Sequence, residues 1–147
     1  MLMSNSEIIV VTLEETLEAA AKFASASTWP ACIYLQGDLG SGKTSFCQGL
    51  IAALGNTTTV TSPTYNLLQE YPVDSGMVYH MDLYRLNAPS ELEYLGLPDL
   101  WQDQSIFLVE WPERGIGYLP EATHIITLDI DKTSSEDRRT IRIQTAD

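Results

Sequence analysis

Two kinds of apolar spacing, helical and strand-like, divide the chain into predicted elements. The first helix is predicted to follow the capping-box sequence Thr12-Leu13-Glu14-Glu15, in which a hydroxyl and a carboxylate satisfy N–H groups at a helix start. The next segment, Ala31 to Leu35, is a short apolar run typical of a buried parallel strand. A second helix is predicted from Ser45 to Leu54, where Gly55 ends it.

Strands are predicted to dominate the remainder of the chain. A turn at residues 72–76 joins the first two of them as a hairpin-like antiparallel edge. A short helix is predicted from Ser90 to Leu95, with Ser90 and Glu93 as its own capping box, and residues 98–101 predict another turn. The predicted strands are Tyr65 to Tyr71, Met77 to Leu83, Ser105 to Glu110, His124 to Ile130 and Thr140 to Thr145.

This order of elements predicts a three-layer α/β fold around a mixed, mainly parallel sheet with antiparallel strands at its edges. A length of 147 residues fits a single domain over residues 1–147. The first ten residues carry no basic cluster, and the apolar run Ile8 to Val11 is short. We therefore expect neither a signal peptide nor a membrane span, which places the protein in the cytoplasm.

The segment between the first predicted strand and the second helix carries the clearest chemistry. Residues Gly37 to Thr44 read G-D-L-G-S-G-K-T and match the phosphate-binding loop G-x-x-x-x-G-K-[ST]. Glycines let successive backbone N–H groups surround phosphate oxygens, Lys43 brings an ammonium to the terminal phosphates, and the Thr44 hydroxyl suits Mg²⁺. The loop and its flanking elements predict a P-loop NTPase fold that binds a nucleotide.

Two acids follow strand-like apolar runs, at positions where a phosphate-binding loop needs a carboxylate. Glu110 ends the run Ile106 to Val109, and Asp82 ends the run Val78 to Met81. Carboxyl ends of parallel strands open onto the ligand crevice of such a sheet. One carboxylate is expected to hold Mg²⁺, while the other orients or deprotonates the attacking water.

Charge and composition limit the other classes of site. The net charge of −12 argues against a broad DNA or RNA footprint, so any nucleic acid is expected to be met through a partner protein. Cys32 and Cys47 are interpreted as core residues, and His80 and His124 form no metal-ligand spacing. The arginines near the C-terminus are interpreted mainly as solvated charges of an edge strand.

The motifs G-D-L-G-S-G-K-T-S, T-S-P-T-Y, H-M-D-L-Y-R-L and V-E-W-P-E-R-G together resemble the TsaE family of bacterial ATPases over nearly the whole chain. The resemblance implies an ATP-binding component of the machinery that makes threonylcarbamoyladenosine in tRNA. It implies ATP or ADP and Mg²⁺ as ligands, TsaB and TsaD as partners, and tRNA contact only through that complex. DNA and membranes are not expected partners.

The same resemblance assigns roles to individual residues. Thr44 and Glu110 are implied to bind Mg²⁺, Asp82 to face the nucleotide as the catalytic acid, and Lys43 to act on the terminal phosphates. The residues implied to contact the nucleotide are Thr12, Gly40, Ser41, Gly42, Lys43, Thr44, Ser45, Asp82 and Arg139.

Three assignments from the resemblance are less specific. Thr61 to Tyr65 is similar to the family's mobile loop over the terminal phosphate. The segment at Thr12 and Leu13 and an arginine near the C-terminus correspond to places that border the adenine in the family. Arg139 is preferred to Arg138 because Arg139, Ile141 and Ile143 share one face of a strand. Trp111 is either a wall of the site, a partner contact or a core residue.

Two other functions are compatible with a phosphate-binding loop alone. A small-molecule kinase needs an acceptor pocket and usually an arginine-bearing lid, and only residues 87–103 are long enough to supply one. A GTP-dependent switch needs N-K-x-D and D-x-x-G sequences, and the chain contains neither. An Mg²⁺-dependent ATPase, weak alone and dependent on its partners, is therefore the preferred hypothesis.

Overall fold

The computed structural model describes residues 3–58, 60, 66–134 and 137–146 of the chain. Within these residues, one seven-stranded sheet runs in the order β1-β7-β6-β2-β5-β4-β3. The strands are β1 Met3–Val10, β2 Ala31–Gln36, β3 Leu68–Val73, β4 Gly76–Asp82, β5 Ser105–Glu110, β6 His124–Ile130 and β7 Arg139–Ala146. The α-helices are α1 Leu13–Ser25, α2 Lys43–Ala53 and α3 Leu97–Leu100, and 3₁₀ helices span Pro89–Leu95 and Pro112–Gly115.

The centre of the sheet is parallel and its edges are antiparallel, as the sequence predicted. Strand β2 pairs in parallel with β5 and β6, and β5 pairs in parallel with β4. Strands β3 and β4 form the predicted antiparallel hairpin, while β7 pairs antiparallel with both β6 and β1. All six residues of β5 are buried, because the strand is central and both faces of the sheet are covered.

Helices and 3₁₀ segments cover the two faces of the sheet. On one face α1 and α2 pack over sheet residues such as Ile33 and Leu108, with Phe46 fully buried among them. On the other face the segment from Pro89 to Leu100 packs its apolar side chains against Phe107 and Val109. The alternation of side chains along each strand thus divides the core into the two apolar layers of a three-layer fold.

The capping box predicted for α1 is present. The Glu15 N–H donates to the Thr12 hydroxyl at 3.1 Å, and the Thr12 N–H donates to the Glu15 carboxylate at 3.2 Å. Both groups satisfy donors that the helix leaves unpaired at its start. This reciprocal pair sets the direction in which α1 leaves β1, and α1 then packs against α2.

Gly49 allows the close approach of α1 and α2. A Cβ atom at this position would lie 2.9 Å from the Ala20 Cβ and 3.0 Å from the Leu17 carbonyl oxygen. We expect Gly49→Leu to destabilise the fold by about 1–3 kcal/mol, because the larger side chain forces the helices apart. Urea unfolding checks this, with Ala52→Leu on the exposed side of α2 as the control. Equal midpoints for the two variants would show that the contact tolerates a side chain.

Several elements differ in the structure from those that the sequence predicted. Strand β1 was not predicted, since its polar residues become a strand only by pairing with β7. The predicted capping box at Ser90 is absent: the 3₁₀ helix begins at Pro89 after Ala88, without a side-chain cap. Residues 98–101 were predicted as a turn, but α3 covers most of them. Strand β3 continues through Pro72, which an edge strand tolerates because its outer N–H groups need no partner.

Across the described ranges, every helix is too short or too polar to cross a membrane.

Candidate nucleotide site

The phosphate-binding loop lies between β2 and the start of α2, as predicted. Gly40 and Gly42 adopt φ values of 80° and 104°, a left-handed conformation that favours glycine. Helix α2 begins directly after Gly42, a residue with no side chain to cap it. The N–H groups and the positive dipole end of α2 therefore lie at the loop, an arrangement that favours an anion.

Lys43 is held at the loop by two contacts. Its Nζ donates to the Gly37 carbonyl oxygen at 2.6 Å and lies 3.7 Å from the centroid of the Trp111 ring. Burial lowers the pKa of the Lys43 ammonium, and the nearby Glu110 and Asp82 carboxylates oppose that shift. The charged end of Lys43 is thus already beside the place where a phosphate would enter.

The oxygen atoms of Thr44 and Glu110 lie together, and Asp82 ends the neighbouring strand. The Thr44 hydroxyl lies 3.3 Å from each oxygen of the Glu110 carboxylate, and Glu110 is buried. Asp82 is the register partner of Glu110 at the carboxyl ends of β4 and β5, so both side chains leave the same face of the sheet. This face is the one that carries α2.

The oxygen atoms of Thr44 and Glu110 suit Mg²⁺, which prefers hard oxygen ligands in an octahedron. Neighbouring ligands of such an ion, each bound at 2.0–2.1 Å, are about 2.9 Å apart. The observed 3.3 Å between the Thr44 hydroxyl and the Glu110 carboxylate needs only a small adjustment to reach that spacing. The residues present therefore fit the ion that the sequence predicted.

Asp82 has an environment that disfavours its charge. Burial raises the pKa of the Asp82 carboxyl and Glu110 adds to the rise, although the carboxylate accepts a hydrogen bond from the Tyr84 N–H at 3.0 Å. A carboxyl whose pKa is raised in the folded state destabilises the fold when it is ionised. Asp82 is therefore held in the site at a cost to the ligand-free protein.

Because ionised Asp82 destabilises the ligand-free fold, an Asp82→Asn variant is predicted to be more stable than wild type. The amide keeps the oxygen that Tyr84 contacts, so the ligand-free variant should melt at a higher temperature than wild type near about pH 7. As the pH falls below the raised pKa, wild-type Asp82 becomes protonated and the difference should shrink. Thermal melts across that range test this, and a lower melting temperature for the variant at neutral pH would contradict the account.

A cavity of about 780 Å³ opens above the loop. Its volume suits a ligand of nucleotide size. The lining combines apolar side chains from α1 and the loop with the two acids and Trp111. Its lining includes Leu13, Thr16, Leu39, Gly40, Gly42, Lys43, Thr44, Ser45, Asp82, Tyr84, Arg85, Glu110, Trp111 and Arg139.

Most of the predicted site residues meet at this cavity, with two exceptions. Ser41 is fully buried behind the lining, and its hydroxyl has no hydrogen-bond partner within the described ranges. Thr12 does not line the cavity, because its hydroxyl caps α1; the neighbouring Leu13 and Thr16 reach the cavity instead. The predicted mobile loop, Thr61 to Tyr65, lies outside the described residues.

The structure distinguishes the two candidate arginines. Arg139 lines the cavity, where its Nη2 donates to the Gly40 carbonyl oxygen at 3.1 Å and its Nη1 lies 3.0 Å from the Asp137 carboxylate. The Arg138 Nη1 lies 3.9 Å from the Asp131 carboxylate. Arg139 is therefore tied to the phosphate-binding loop, while its place beside the adenine stays a prediction.

Trp111 and His80 contribute geometry that the sequence did not reveal. Trp111 has φ 58°, the only positive value for a residue other than glycine in the described chain, and its ring lies 5.0 Å from that of Tyr84. Such strained backbone is common at functional sites.

His80 Nε2 lies 2.6 Å from the Glu110 Oε2. The alternation of His80 and Asp82 along β4, which places both side chains on one face, is the signal in the sequence that points to this contact.

Comparison with known proteins identifies the family of this chain. A family model described as threonylcarbamoyl adenosine biosynthesis protein TsaE matches residues 10–141. The chain is 39% identical to a Rickettsia bellii protein named tRNA threonylcarbamoyladenosine biosynthesis protein TsaE, over 97% of both chains. It is 47% identical to the Haemophilus influenzae protein of that name, over 66% of this chain and 61% of that protein. The latter match therefore spans less than two thirds of the Haemophilus protein.

A solved structure shares the fold. The crystal structure of Bacillus subtilis YdiB superimposes with a TM-score of 0.78 at 28% sequence identity, covering 100% of this chain and 89% of that one. The superposition agrees with the mixed α/β sheet described above. Because the family model spans most of the chain and the Rickettsia bellii relative aligns over almost its full length, the chain belongs to the TsaE family.

Proposed function

We propose that this protein is an Mg²⁺-dependent ATPase that serves tRNA threonylcarbamoyladenosine synthesis together with TsaB and TsaD. The observation that carries the proposal is the meeting of Lys43, Thr44, Asp82 and Glu110 at one cavity behind a phosphate-binding loop. Family membership supports the pathway, since the relatives carry that biosynthetic name.

The residues of the site divide the chemistry of hydrolysis between them. The loop and the start of α2 bind the phosphates, and Lys43 exchanges the Gly37 carbonyl oxygen for a terminal phosphate oxygen. Thr44 and Glu110 hold Mg²⁺, which neutralises charge on the phosphates when it is bound. Asp82 orients the attacking water.

The hydrolytic step itself follows from these positions. A water oxygen forms a bond to the terminal phosphorus, and the bond from that phosphorus to the bridging oxygen breaks. The ionised Asp82 accepts a hydrogen bond from the attacking water and takes up its proton, while ADP leaves with the electron pair of the broken bond. The raised pKa of Asp82 brings this carboxyl closer to the range in which it accepts a proton efficiently.

The adenine of ATP is proposed to lie in the part of the cavity lined by Leu13 on α1 and Arg139 on β7. Leu13 and Leu39 supply apolar surface there, and a guanidinium plane can cover an aromatic base. No sequence that reads guanine was identified, so ATP is the expected nucleotide. Calorimetric titration with ATP and GTP tests this, and a clear preference for GTP would overturn the assignment of the base.

The partner claim has its own experiment. The protein is expected to co-purify with TsaB and TsaD homologues, with a yield that depends on whether ADP, ATP or no nucleotide is present. Nucleotide dependence is expected because the cavity lies at the surface and includes the exposed side chains of Leu39 and Tyr84. Failure to bind under all three conditions would contradict the partnership while leaving the ATPase proposal intact.

A further inference from the structure

We propose that His80 is a positioning residue that orients the Glu110 carboxylate for the divalent cation. The inference rests on the proposed function, because it assumes that Glu110 binds Mg²⁺. His80 lies on β4, two residues before Asp82, and is completely buried. Its Nε2 lies 2.6 Å from the Glu110 Oε2, within a short hydrogen bond.

Strand register explains how His80 reaches Glu110. His80 pairs with Leu108, while Asp82 pairs with Glu110. Side chains of parallel strands in register leave the same face, and His80 and Asp82 are two residues apart, so all of these side chains project toward α2. His80 therefore contacts Glu110 diagonally, two residues along the strands from the pair that Glu110 forms with Asp82.

The surroundings of the imidazole decide which nitrogen carries the proton. His80 Nδ1 is buried and has no hydrogen-bond partner in the part of the chain that the structure describes. A buried N–H group without an acceptor is unfavourable, so the proton belongs on Nε2, where the Glu110 carboxylate accepts the hydrogen bond. His80 is thus a hydrogen-bond donor to Glu110 through Nε2.

This hydrogen bond fixes an otherwise adjustable group. The last torsion of a glutamate side chain is broad, so the carboxylate plane of an unsupported Glu110 would rotate. His80 holds Oε2, and the Thr44 hydroxyl lies 3.3 Å from both Oε1 and Oε2. The carboxylate is therefore oriented from behind before an ion arrives, which lowers the ordering cost of binding the ion.

A histidine that merely fills the core would explain the burial but not this geometry. Cys47, His80 and Glu110 place ligand atoms within 4.8 Å of one another. Glu110 is already assigned to Mg²⁺ in the proposed function, and Mg²⁺ prefers oxygen ligands to a thiol. The short bond to Glu110 is the interaction that gives His80 a role.

The test compares two replacements of His80. Gln has an amide N–H that reaches the position of Nε2, whereas Leu has a similar volume and no donor. The measured quantity is the Mg²⁺ concentration that half-saturates binding of a fluorescent ADP analogue, together with ADP affinity without Mg²⁺ and the melting temperature. Should His80→Leu fail to fold, His80→Asn replaces it, because its shorter amide does not reach Glu110.

We expect His80→Leu to raise the half-saturating Mg²⁺ concentration by about 10- to 100-fold, with Mg²⁺-free ADP binding unchanged. His80→Gln should stay much closer to wild type, and His80→Leu should have no further effect in a Glu110→Ala background. Equal Mg²⁺ requirements in wild type, Gln and Leu variants, or equal impairment by Gln and Leu, would overturn the inference. If ADP binding by the wild-type protein does not depend on Mg²⁺, the proposed function fails together with the inference. If wild-type binding depends on Mg²⁺ but the His80 variants do not change that dependence, only the inference fails.

Discussion

Lys43→Ala is expected to reduce the catalytic efficiency of ATP hydrolysis by at least about 100-fold and to weaken ATP binding strongly. Lys43 is the cation that the phosphate-binding loop holds against Gly37, and the described residues that line the cavity include no second lysine. Its ammonium is expected to move only from a carbonyl oxygen to a phosphate oxygen, so little reorganisation opposes the contact. Steady-state phosphate release and calorimetric titration with ATP measure the two effects.

Lys22→Ala is the matched control for this experiment. Lys22 is exposed near the end of α1 and does not line the cavity, so its loss removes the same net charge without touching the site. If Lys22→Ala and Lys43→Ala weaken ATP binding equally, the effect is one of overall charge. If Lys43→Ala binds and hydrolyses ATP normally, the loop does not hold the phosphates as proposed.

Asp82→Asn is expected to lower kcat by about 10²- to 10⁴-fold while leaving ATP affinity near that of wild type. The amide preserves the size of the side chain and the contact with Tyr84, but it does not take a proton from water. Because the same variant is expected to be more stable than wild type at neutral pH, unfolding would not explain the loss. Single-turnover hydrolysis and equilibrium binding separate the two quantities.

Asp103→Asn, on an exposed turn, controls for removal of one negative charge. It should hydrolyse ATP like wild type. Normal turnover by Asp82→Asn would remove Asp82 from the reaction and leave Glu110 as the acid to examine next. A large loss of ATP affinity in Asp82→Asn would instead place this carboxylate in ligand binding.

The parts of the site that the sequence predicted depend on short local motifs and on the rule that parallel strands end at the same edge of a sheet. The loop from Gly37 to Thr44 carries its own conformational requirements in its glycines. Asp82 and Glu110 were paired because acids that end parallel strands meet at the same edge of the sheet. Arg139 was preferred by alternation along one strand, and the structure brings that side chain to Gly40.

What the sequence did not reveal depends on register and on exact contacts between distant segments. The bond from His80 to Glu110 runs diagonally between β4 and β5, and no local pattern specifies that register. Thr12 was predicted both to cap α1 and to border the base, and its hydroxyl performs the first task. Strand β1 needs β7 as its template, and these strands are separated by most of the chain.

The most direct test of the central claim is release of labelled phosphate from γ-labelled ATP by the purified protein, with TsaB and TsaD homologues present and with or without Mg²⁺. The account predicts phosphate release that requires Mg²⁺, increases with the partners and is nearly lost in Asp82→Asn. Phosphate release that does not require Mg²⁺, or transfer of the label to a small-molecule acceptor instead of water, would contradict it.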